Sequence, residues 1–120
     1  MIILLLLILS GSFYQQRLLK KMAAAADEKL DTVVLYVSGG DYRSAQTAYS
    51  EFKKLWTDEK KFITLMLSHD LPENIDRHSA RLRASLNKEG QPESLATLSE
   101  LREMISEIET KFHINLQNIL

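Results

Sequence analysis

From about Gln15 onward, apolar residues recur at steps of three and four. Leu19, Met22, Ala26, Leu30, Val33 and Val37 make one stripe, which predicts a first amphipathic helix. Val33, Val34, Tyr36 and Val37 are β-prone and leave a short strand there as an alternative. Gly39-Gly40 closes the segment, since glycine suits the position just beyond a helix end. Asp41 is the expected N-cap of a second helix. Its stripe is Tyr42, Ala45, Tyr49, Phe52, Trp56, Ile63 and Met66, widened by Ala48, Leu55 and Phe62, and it reaches towards Ser68. Residues 69–73 break the pattern. Pro72 suits a first helical turn, and Asp70 with Glu73 has capping-box spacing. A third helix carries Ile75, Ser79, Leu82 and Leu86 and is expected to stop near Gly90. Pro92 opens a fourth, with Leu95, Leu98, Leu101, Ile105, Ile108 and Phe112 in a heptad-like seam. The apolar tail, 114–120, is expected to dock on the rest. Short links favour antiparallel neighbours. The expected fold is all-α, either a four-helix antiparallel bundle or two stacked helical hairpins.

The extreme N-terminus follows another rule. Residues 2–9 are an unbroken aliphatic run, Ser10, Gly11 and Ser12 follow, and the first strong charge is Arg17. Such a run at a chain start reads as a membrane anchor or signal segment. Residues 1–14 give about 21 Å as a helix, short of a hydrocarbon core of about 30 Å. Basic residues follow the run rather than precede it, so the positive-inside rule taken literally puts the remainder in the cytoplasm. The segment therefore reads either as the h-region of a signal peptide, whose usual length it fits, or as the remainder of an anchor whose start is missing, and the second reading is favoured. The expected division is 1–14 as hydrophobic segment and 15–120 as helical domain.

Composition excludes more than it assigns. The chain has 120 residues, a formal net charge of −1 and no cysteine. Disulfides, thiolate chemistry and an acylated lipoprotein cysteine are thereby excluded. The balanced charge gives no footprint for nucleic acid. Arg17, Lys20 and Lys21 stand beside the hydrophobic run, where anionic headgroups would lie. Lys53, Lys54, Lys60 and Lys61 alternate with Asp58 and Glu59 as ordinary surface charge.

Candidate chemistry is sparse. His69, Glu73, Asp76 and His78 are the one cluster with metal-ligating side chains. His69 and Glu73 are four apart, but Pro72 interrupts the helix that would align them. His69, Glu73 and Asp76 remain weak candidates for a divalent-metal or small-molecule site. The simpler reading makes His69 a helix end, Asp70 and Glu73 a cap, and His78 a half-buried packing residue. No nucleophile elbow or phosphate-cradling glycine loop is present, so no enzyme and no cofactor is expected. The aromatic residues around Trp56 read as core, and Asn115 and Asn118 as capping or bundle hydrogen bonds.

Several stretches together resemble a known family. They are the N-terminal hydrophobic run, Gly40-Asp41-Tyr42 with Ala45, Trp56, Leu67-Ser68-His69 with Glu73, Ile75-Asp76, Arg81-Leu82, and the ending Asn115-Leu116-Gln117-Asn118-Ile119-Leu120. The chain resembles small membrane-anchored helical proteins of Gram-positive spore formers, filed as a domain of unknown function. The resemblance implies an extracytoplasmic helical domain tethered to the cell membrane, against the literal charge rule. A missing basic start would remove that conflict. The resulting expectation is a non-enzymatic interaction or structural module at the membrane surface. It is held through its N-terminal segment and is open to a protein partner or to self-association.

Overall fold

The computed structural model describes residues 2–67 and 69–119, with the side chains of 12, 109 and 112–119 outside the description. Among the described residues there are four helices and no strand: α1 (Ile2–Ser38), α2 (Tyr42–Met66), α3 (Asp70–Ser85) and α4 (Gln91–Ile119). α1 packs against α2 and α4, and α3 packs against α4 and α2. Neighbouring helices meet in opposite senses. Gln91 Nε2 donates to the Val37 carbonyl at 2.9 Å, and Arg102 meets Asp27 further along the same pair.

The apolar stripes become one shared core. Leu19, Leu30, Val33 and Val37 of α1 are fully buried against Phe52, Trp56 and Ile63 of α2, Ile75 and Leu82 of α3, and Leu98, Leu101 and Ile105 of α4. Each such side chain contributes roughly 1.5–3 kcal/mol through burial. The β-prone stretch Val33–Val37 is helical for this reason. Val33 and Val37 lie one turn apart on the buried face, and the burial outweighs the small helix penalty of β-branching.

The turns are built from local chemistry. Gly40 takes φ 77°, a conformation glycine adopts without steric cost, and reverses the chain after α1. The Asp41 carboxylate accepts from Ser44 N at 3.1 Å and caps α2. α2 ends at Met66, with Leu67 extended beyond it, and Ser68 lies outside the described residues.

Three local expectations are corrected. Asp70 does not cap α3; it is the helix's first residue, His69 occupies the cap position, and among the described residues no side chain caps the helix. Pro72 tolerates this because its missing N–H falls among the unpaired donors of the first turn. The third helix ends at Ser85 rather than near Gly90. The Ser85 hydroxyl turns back to the Leu82 carbonyl, and Asn87 takes the Gly90 N–H through both its side chain and its carbonyl. Leu95 is exposed, while Ser94 takes the inward position. α4 meets α3 closely here, with Ser94 Oγ donating to the Ser85 carbonyl at 2.6 Å, so only a small side chain fits. The expected docking of residues 114–120, the inward placement of Phe112, and the roles of Asn115 and Asn118 concern side chains outside the description.

α1 accounts for the length of the molecule. Its 37 residues span about 55 Å, and the long axis measures 60 Å against 20 and 18 Å across. The helix runs through Ser10, Gly11 and Ser12 without a break. Its first turns have no partner among the other described residues, and Ile2 to Leu9 are between 76% and 48% exposed.

Candidate functional site

The proposed metal-ligating residues do not meet. His69 and Glu73 are exposed at the start of α3, and Glu73 N bonds the His69 carbonyl as ordinary helix. Asp76 faces α2 instead. Its carboxylate accepts from Trp56 Nε1 at 2.8 Å, pairs with Lys60, and lies 3.7 Å from Lys53 Nζ. Burial opposes ionisation of Asp76, but hydrogen bonds from Lys60 and Trp56 and the lysine charges outweigh it and hold its pKa below the ordinary value. Among the described residues no three His, Cys, Asp or Glu side chains converge as a metal ion requires. Lys53 and Lys60 are thus partners of Asp76 rather than plain surface charge.

His78 is half-buried, as expected, and it also has polar partners. Its Nδ1 lies 2.9 Å from the Asn74 carbonyl and its Nε2 2.8 Å from Glu100 on α4. Both neighbours are acceptors. The contact joins α3 to α4, as Tyr49 joins α2 to α3 by donating to the buried Ser79 carbonyl at 2.9 Å.

Glu59 is the polar residue that the stripe analysis passed over. Its Oε2 is buried and, among the described residues, has no hydrogen-bond partner. Burial, and secondarily the Asp58 charge, push its pKa up to about 7. The signal was present: the α2 stripe skips one step between Trp56 and Ile63, and position 59 is that step.

The remaining candidate surface is the base of α1. Phe13 and Tyr14 are about two-thirds exposed, and Arg17, Lys20 and Lys21 follow on exposed positions. Phe13, Gln16, Arg17 and Lys20 line a shallow cleft. α1 includes an 18-residue stretch long and apolar enough to cross a membrane, a property that signal sequences share.

Comparison with known proteins adds a family and no activity. The model of a family described as a domain of unknown function, DUF4363, matches residues 13–119. No curated protein and no solved structure matches the chain.

Proposed function

The chain belongs to the DUF4363 family, and from that premise we propose that it is a membrane-tethered helical module, an antiparallel four-helix bundle held at the extracytoplasmic surface of the cell membrane. Its role is interaction or structure rather than catalysis. The observation that carries the tether is the exposed aliphatic face of Ile2 to Leu9 on the same unbroken helix that supplies Leu19, Leu30 and Val33 to the core. A soluble protein rarely leaves such a surface in water. Phe13 and Tyr14 suit the headgroup level, where aromatic rings collect. A structural rather than catalytic role is supported by the polar contacts, which join helices to one another: Trp56 to Asp76, Arg102 to Asp27, His78 to Glu100.

The test is made in cells carrying the full chain. Alkaline carbonate should leave it in the membrane pellet, and protease added outside intact cells should digest the helical part. Release into the carbonate supernatant would remove the tether, and protection from external protease would reverse the orientation.

A further inference from the structure

The end of the α1–α2 hairpin nearest the N-terminus carries features that the core does not explain. Leu65 is 79% exposed, the highest value among the large apolar side chains of the described residues, above even the N-terminal run. Its height is fixed by the contact between Lys29 Nζ and Glu51, 3.8 Å apart across the two helices. Leu65 stands fourteen residues beyond Glu51 on α2, and Gln15 stands fourteen before Lys29 on α1. Antiparallel helices advance equally, about 21 Å for each stretch. Leu65 therefore lies level with Gln15, close in height to the exposed Phe13 and Tyr14. By the same measure Lys61 lies level with Leu19 and Lys20. Arg17, Lys20, Lys21 and Lys61 are all exposed at this end, Asp58 is about one turn further from the N-terminus, and the acids at the same end, Asp70 and Glu73, are carried exposed on the start of α3.

We propose that this end of the hairpin docks on the bilayer itself, with Leu65 entering the interface and Arg17, Lys20, Lys21 and Lys61 meeting the phosphates of anionic phospholipids. The inference rests on the tethered reading and extends it. The anchor is not the only membrane contact, and a second helix makes one. The occupant is set by charge and position. On α1 and α2 the exposed charges at this height are basic and stand among apolar and aromatic residues, next to the exposed apolar start of α1, which matches the headgroup layer of an anionic membrane. Docking would hold the domain close to the surface instead of letting it swing on α1.

The chain has no cysteine, so single labels can be placed cleanly. The full chain, as Leu65→Cys or as Leu35→Cys, carries an environment-sensitive fluorophore. Leu35 is 67% exposed at the far end of α1 and serves as the control. Vesicles of phosphatidylcholine, with or without phosphatidylglycerol, contain a quencher attached near the headgroup. The expected result is quenching at position 65 that grows with phosphatidylglycerol, and none at position 35. Each basic residue changed to Gln should lower the docked-to-free ratio by about fivefold. The combined Arg17→Gln, Lys20→Gln, Lys21→Gln, Lys61→Gln chain should still float with vesicles but lose quenching at 65. Equal quenching at 65 and 35, or quenching at 65 indifferent to phosphatidylglycerol and to the four changes, would overturn the dock while leaving the tether. A chain that floats with neither vesicle would overturn both.

Discussion

Trp56 donates its indole N–H to Asp76 across the α2–α3 contact, at 2.8 Å, with the indole buried and the carboxylate half-buried. Removing the acceptor leaves a buried donor unpaired. Asp76→Ala should cost about 2 kcal/mol in urea unfolding, while Trp56→Phe made in the Asp76→Ala background should cost less than in the native chain. Trp56 is the single tryptophan, so its emission should shift to the red in Asp76→Ala. Equal costs for Trp56→Phe in the two backgrounds would mean that the pair is not coupled.

Glu59 sets a pH dependence of definite sign. Its proton is held in the folded chain up to about pH 7, and in the unfolded chain only to about 4.5. Between those values the unfolded state has released the proton and the folded state has not. Stability therefore falls as pH rises through that window and levels off above it. Glu59→Gln should remove this slope. Because the side chain is only partly buried and water screens it, the gain above about pH 8 should be about 1 kcal/mol. Thermal melts of both chains at a series of pH values check this. The two should converge towards the acid end.

Two glycines differ in what a methyl group would meet. A Cβ on Gly90 would stand 2.9 Å from Ser85 Cα and closer still to the Ser85 carbonyl oxygen. A Cβ on Gly40 would meet nothing within 4 Å, and only its φ of 77° opposes substitution. Gly90→Ala should cost about 3 kcal/mol because backbone must move. Gly40→Ala should cost about 1 kcal/mol. Denaturant midpoints rank the two, and the reverse order would contradict the packing of the α3–α4 turn.

Periodicity made much of this fold legible. The α1 stripe is buried at every step except Met22, which is half-buried, and the α3 stripe is buried throughout. The α3–α4 turn was harder to read, because its form depends on tertiary contacts among Ser85, Asn87, Gly90 and Ser94 that leave no period in the sequence. Ser94 and Thr97 are buried although neither is apolar. The His69, Glu73 and Asp76 cluster looked like one group because the residues are close in sequence. Asp76 belongs to α2's lysines and tryptophan, twenty residues from Trp56, and only the folded hairpin brings them together. Glu59 was visible in principle as a missing step in a stripe, but a stripe is read from the residues it contains.

The most direct test of the central claim, that the exposed start of α1 is a membrane segment continuous with the helical domain, is flotation of the full chain with phospholipid vesicles, compared with Leu6→Arg/Leu9→Arg. An arginine in the middle of a spanning helix opposes insertion by about 2.5–3.5 kcal/mol. The native chain should rise with the vesicles and the double variant should stay at the bottom, with both showing the same helical circular dichroism. A native chain that remains soluble, or a double variant that floats equally well, would contradict the account.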